Sequence, residues 1–251
     1  MNSTKMRGYF DFRIFFWQIW KRSKGSLTLV ILGVCVIVFA TTAFLDISGL
    51  VSREYFFCLF GFSYMGVIQR FWLHQILTAP LLHSGISHFL FNMLTLWMLG
   101  PSIEKKLGRK RYFLFSALCA ISGEIGFLLV NWGTGNPLVG YSGIVFGILV
   151  AQAIYFPDSI VHLFVFFPLK MKNAVILLGA IELYLTLSPE RGGIAHAAHL
   201  FGAVGSFIYL KLYLDIGRCK PSISPGGKVG KKRIKSGWGL GKKGPSIPKE
   251  L

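Results

Sequence analysis

Residues 27–45 form a run of nineteen positions without a single charge. Wound as a helix, this run reaches ~28 Å, close to the ~30 Å hydrocarbon thickness of a bilayer. The competing reading is a secretory signal peptide. Its apolar core would be too long, no A-x-A cleavage site follows, and further apolar blocks continue downstream. The run is therefore read as a retained membrane span. Composition agrees: 53% of residues are apolar and 15% charged, an imbalance foreign to soluble domains.

Five more blocks predict five more spans. They cover about 86–103 (ended by Gly100-Pro101), 111–131, 142–156 (stopped by Pro157), 173–187 (stopped by Ser188-Pro189) and 195–214. Within 47–84 the apolar pieces 55–62 and 71–82 fall short of the ~20 residues needed to cross. They read as a partly embedded connecting loop, and the short stretch 160–167 as part of another connection. The fold class that follows is all-α: a polytopic bundle of six transmembrane helices over 26–214. A basic, aromatic interfacial segment (1–25) precedes it, and a tail rich in Gly, Pro, Ser and Lys (215–251), read as disordered, follows.

The formal net charge of +17 raises the question of a nucleic-acid partner, and its distribution answers it. Of 27 Lys and Arg, six lie in 1–25, five in 105–111 and ten in 216–251. Adding Lys170, Lys172 and Lys211, six spans with a cytoplasmic N-terminus put 24 of the 27 on the inner side. A count of five or seven spans would export one of the basic clusters. The charge thus marks membrane orientation, not a groove for nucleic acid. The partner implied is the lipid bilayer of a cell membrane (the inner one in a two-membrane bacterium), crossed several times with both termini cytoplasmic. Cys35, Cys58, Cys119 and Cys219 are scattered without CxxC spacing, so no metal site or disulfide framework is expected, and no cofactor.

This topology also says which polar residues meet. His83, His88 and Asn92 lie at the outer start of span two, Ser142 at that of span four, and His196 and His199 at that of span six. Polar side chains at this depth are costly unless they face a cavity or one another. His88 and Asn92, at i and i+4, share one helix face. Ser142 follows Gly140 and precedes Gly143 at a helix start, where unpaired N–H groups and the positive dipole end can hold an oxyanion. Singly, each feature has an ordinary explanation, such as an N-cap serine or an interfacial histidine. Their shared depth points to a nucleophilic acyl-transfer site.

At these residues the sequence resembles the rhomboid family of intramembrane serine proteases. The resemblance covers about 83–210. It rests on His83-Ser84-Gly85-Ile86-Ser87-His88-Phe89-Leu90-Phe91-Asn92, on Gly140-Tyr141-Ser142-Gly143, and on Ala198-His199-Leu200-Phe201-Gly202. It implies an intramembrane endopeptidase with a Ser–His dyad and no acidic third member. Ser142 would be nucleophile and His199 base and acid, with His88, Asn92 and the Gly140 turn at the oxyanion and substrate. It further implies single-span membrane proteins as substrates.

Some positions depart from the family pattern. The common Trp-Arg pair of the first loop is His74-Gln75, and Glu-x-Arg after span two is Glu104-Lys105-Lys106. Phe146 replaces a frequent Tyr one turn after Ser142 and would stack on His199. The second small residue after Gly202 is Ser206, so that Gly202-xxx-Ser206 would face Gly143-xxx-Gly147. His83, Phe146 and Gly202 are expected to shape the site without reacting, and His196 to line the cavity. Glu124 and Glu182 are expected to sit as neutral acids in interhelical hydrogen bonds. The rival readings are an inactive rhomboid-like protein that binds clients, and a small transporter, for which no internal repeat is found.

Cysteines introduced at Phe10 and Lys235 should react only with reagents supplied from the cytoplasmic side. Reaction from outside at either position contradicts the six-span topology.

Overall fold

The computed structural model describes residues 25–163, 167–188 and 194–218. The interfacial segment and the tail beyond residue 218 lie outside the described residues. Each apolar block is an α-helix: α1 (Leu27–Ile47) first, then, beyond a long loop, α4 (Ile86–Leu107), α5 (Arg109–Val130), α6 (Ser142–Tyr155), α7 (Met171–Leu187) and α8 (Ile194–Arg218). The loop itself carries the short helices α2 (Arg53–Phe60) and α3 (Gln75–Thr78). Among the described residues, four helices, α1, α4, α5 and α8, are long and apolar enough to cross a membrane. Only 17% of the α1 window is buried, so most of its apolar surface faces outward, as suits lipid rather than water. The chain is a helical membrane bundle. Its inner layer centres on α6, which packs against α4, α5, α7 and α8.

Three expectations about the elements need correction. Gly100-Pro101 does not stop α4, which continues to Leu107 with Pro101 inside it. Packing overrides the breaker here, because Ile103, Glu104 and Leu107 beyond the proline are all buried. The stretch read as a plain connection contains a small antiparallel hairpin, β1 (Ile160–Leu163) paired with β2 (Phe167–Lys170). α8 also outlasts its predicted end, reaching Arg218.

The N-terminus of α1 is closed by a residue from another helix. Ser26 makes no side-chain cap of its own. Instead the Glu104 carboxylate accepts the N–H of Leu27 (2.7 Å) and of Thr28 (2.9 Å). It also accepts the hydroxyls of Thr28 (2.7 Å) and Ser26 (2.5 Å). A helix start offers unpaired donors and a positive dipole end, and the anion satisfies both while tying α1 to α4. Only the carboxylate of the Glu104-Lys105-Lys106 sequence is needed for this, so the missing arginine has no part in it.

The first loop is held by Gln75, which is wholly buried. Its Nε2 donates to the carbonyls of Cys58 (3.0 Å) and Leu59 (3.2 Å), and its Oε1 accepts the Ser63 N–H (3.2 Å). The loop is then stitched to the segment ahead of α6. Phe62 and Leu138 exchange both backbone hydrogen bonds, and the Gly140 N–H donates to Ala79 O at 3.0 Å.

The basic segments converge at one end of the bundle. Arg111 donates to the Tyr213 hydroxyl at 3.1 Å and lies over its ring, and Lys106 lies over the Phe156 ring. Lys172 and Lys170 pair with Asp158 at 3.0 and 3.5 Å. The Lys172 hydrogen bond, with both lysine charges, holds the exposed Asp158 carboxyl below its ordinary value. Such exposed pairs contribute little to stability.

Glu104→Ala leaves the Leu27 and Thr28 N–H groups without an acceptor, at about 1–3 kcal/mol for each orphaned buried group. The unfolding midpoint in detergent should fall clearly, and less for Glu104→Gln, which keeps one acceptor oxygen. A wild-type midpoint for Glu104→Ala would show that this cap carries no stability.

Candidate active site

Ser142 is the first residue of α6 and is buried. The strand-like approach to it is fixed by the Phe62–Leu138 pair and the Gly140–Ala79 bond. Gly140 has φ +126°, a conformation that glycine tolerates and other residues rarely adopt. A Cβ there would stand 2.5 Å from His88 Cε1 and 2.7 Å from its Nε2, so the glycine also lets the His88 ring lie against the turn.

α8 brings the histidine. A Cβ on Gly202 would come within 2.3 Å of Gly143 O, so the backbones of α6 and α8 touch. Four residues further on, the Ser206 hydroxyl donates to Gly147 O at 2.8 Å. One turn above this contact, His199 Nε2 lies 2.8 Å from Ser142 Oγ. The Phe146 ring stacks on the His199 ring, with centroids 4.6 Å apart and planes 8° off parallel.

On α4, His88 Nδ1 lies 3.1 Å from the Ser84 hydroxyl, which leaves Nε2 toward Gly140. Asn92, one turn deeper, is buried, and its Nδ2 has no acceptor. His83 is buried with both ring nitrogens unpaired, 5.3 Å from the His88 ring and edge-on to Phe89. Burial first, then the neighbouring His88, pushes His83 down to about 4, so it stays neutral near pH 7. A small cavity opens beside Ser142, bounded by Pro80, Leu138, Gly140, Glu124 and Ala198.

Of the two intramembrane acids, only one makes the expected interhelical hydrogen bond. Glu124 borders the cavity, and its buried Oε1 has no hydrogen-bond partner among the described residues. Glu182, on α7, does bridge helices. One oxygen lies 2.6 Å from His196 Nδ1, and the other 3.1 Å from His199 Nδ1. The first is a hydrogen bond. The second is close in distance but off the N–H direction, a contact rather than an aligned bond. His196 thus engages Glu182 and does more than line a cavity.

Glu182 is expected from the sequence only in an interhelical hydrogen bond, because the polar residues that share a depth there lie at outer helix starts and Glu182 lies near an outer helix end. Glu182 precedes the end of α7 by five residues, and His199 follows the start of α8 by five, which is the same depth. The donor atoms of Glu182, His196 and His199 lie within 4.8 Å of one another. Zinc ligands ~2.0–2.1 Å from an ion would stand further apart than the 2.6 Å pair does, so the arrangement is that of hydrogen-bonded partners.

Comparison with known proteins bears on this geometry. Residues 69–216, more than half of the chain, match the family profile described as the Rhomboid domain. The chain is similar to the rhomboid protein YdcA of Bacillus subtilis, 29% identical over 150 residues, 57% of this chain and 68% of that one. It is similar to the rhomboid protease GluP of the same organism, 28% identical over 133 residues, 53% of this chain and 25% of that one. A third relative is the rhomboid protease GlpG of Photorhabdus laumondii, 28% identical over 133 residues, 53% of this chain and 43% of that one. The chain therefore spans between a quarter and about two thirds of the lengths of these relatives.

Gly202→Val forces α6 and α8 apart, because the obstructing atoms belong to backbone. Its unfolding midpoint should fall far more than that of Ser206→Ala, which removes one hydrogen bond of about 0.5–1.5 kcal/mol. Equal midpoints for the two variants would contradict the close backbone contact.

Proposed function

Because this chain belongs to the rhomboid family, we propose that it is an intramembrane serine endopeptidase, with Ser142 as nucleophile and His199 as general base. The observation that carries this reading is the 2.8 Å contact between His199 Nε2 and Ser142 Oγ on two helices whose backbones touch. That distance lies within reach for proton transfer. As Oγ attacks a peptide carbonyl carbon, Nε2 takes its proton. It later gives that proton to the leaving amine as the acyl-enzyme forms, and water then releases the acyl group.

The tetrahedral oxyanion needs donors that are already in place. The Ser142 N–H at the start of α6, the unpaired Asn92 Nδ2 and His88 Nε2 are the candidates. A buried amide donor without an acceptor is costly unless a ligand satisfies it, which supports this role for Asn92.

The membrane setting follows the charge pattern: six spans in the cell membrane, both termini cytoplasmic, and Ser142 below the outer surface. α6 has 14 residues, so at ~1.5 Å per residue it falls well short of the bilayer core. Its outer end lies deep, beside a small cavity lined by Pro80, Leu138 and Gly140. The substrates are single-span membrane proteins, cut where their helix is weak enough to extend into the site. A client-binding member that does not cut leaves the Ser142–His199 contact without a purpose.

The test is cleavage of a single-span substrate by the purified chain in proteoliposomes. Ser142→Ala and His199→Ala should abolish cleavage in folded protein. Asn92→Ala should lower turnover by roughly 10–1000-fold while leaving the fold intact. Wild-type turnover in Ser142→Ala would overturn the assignment, and wild-type turnover in Asn92→Ala would reduce that residue to helix packing.

A further inference from the structure

We infer that Glu182 is an acidic third member of the site: a positioning residue that holds His199 with its proton on Nδ1 and its Nε2 lone pair toward Ser142. This deepens the proposed function and rests on His199 being the base. An ionised carboxylate only accepts hydrogen bonds. Each Glu182 oxygen faces the Nδ1 of a different imidazole, His196 at 2.6 Å and His199 at 3.1 Å. Were the His199 lone pair on Nδ1, two acceptors would face each other at 3.1 Å; the proton therefore belongs on Nδ1. Nε2 is then free to accept, and it is the atom 2.8 Å from Ser142 Oγ.

His196 has a part in this arrangement. It occupies the second carboxylate oxygen and so fixes the rotation of the group, turning the first oxygen toward His199. Phe146 stacks on one face of the same ring, so His199 is held from the side, from below and at Nδ1. The carboxylate side chain is 11% exposed, which keeps water from screening its charge as the imidazolium forms. The Nδ1 contact is not aligned in this resting geometry, and such bonds commonly tighten only when the transition state is approached.

The test is the order of two substitutions. Gln is nearly isosteric with Glu, and a purely structural role predicts that Glu182→Gln is milder than Glu182→Ala. The positioning role predicts the reverse, because the Gln carbonyl keeps the aligned 2.6 Å bond to His196 and turns its NH2 to His199 Nδ1, driving the proton to Nε2, where it blocks the base. Loss of the correct tautomer costs up to about 10⁴ in kcat in triad enzymes. For the full chain in proteoliposomes with a single-span substrate, Glu182→Gln should lower kcat by roughly 10²-fold or more with little change in KM. Glu182→Ala should retain more activity than Glu182→Gln at equal folded fraction. Equal activity of the two, or a more active Gln variant, overturns the inference.

Should Glu182→Gln not accumulate folded, Glu182→Asp carries the test. It keeps the charge but withdraws it by one methylene, so kcat should fall by about tenfold with KM held, and wild-type kcat overturns the inference. Ser142→Ala in the same assay separates the two claims. If it stays active, the proposed nucleophile is wrong; if it is dead while Glu182→Gln is fully active, only the role of Glu182 is wrong.

Discussion

Where α6 crosses α8, no side chain separates the two backbones. Gly143 meets Gly202 so closely that one added methyl would overlap a carbonyl oxygen. In lipid there is little hydrophobic drive between helices, and small residues that allow such contact are a main source of association. Gly147 and Ser206 continue the seam one turn further, where the hydroxyl finds a carbonyl on the neighbouring helix. The serine lies one residue before Gly143, and the histidine three residues before Gly202. The Ser142–His199 contact is thus set by backbone packing, with no flexible segment between the seam and either side chain.

The rest of the molecule holds this seam in position. Gln75 gathers the first loop, and the loop fixes the turn that delivers Ser142. Glu104 joins the start of α1 to α4, the helix that carries His88 and Asn92. Glu182 brings α7 to the same centre through a hydrogen bond to His196 and a close contact with His199, both on α8. Buried polar groups that are satisfied across helices act as fixed points in a medium where unsatisfied ones are expensive. In each case a single polar side chain joins elements that the apolar pattern leaves unspecified.

Much of this was legible before any coordinates. The apolar runs placed all six helices, because a span needs length and lack of charge, and both can be read along the chain. The meeting of Ser142, His88 and His199 followed from counting spans, since alternate spans begin at the same end of a bundle. Pro101 misled because its local signal was overridden by the buried residues that follow it. The place of Glu182 beside His199 was not legible because its partners lie 14 and 17 positions away, across a connection, and it sits near the end of a helix rather than its start. The work of Gln75 was hidden for a related reason. Its partners are main-chain groups of a folded loop, and a sequence does not display which carbonyls a loop leaves unpaired.

The central claim is that this packing turns an ordinary hydroxyl into a nucleophile. A folded, detergent-solubilised chain can be reacted with a fluorophosphonate and the adduct located by mass spectrometry. The account predicts a single phosphonyl group on the peptide containing Ser142, and none when His199 is replaced by Ala in a chain of equal stability. No adduct on folded wild type, or an adduct on another serine with Ser142 unmodified, would contradict it.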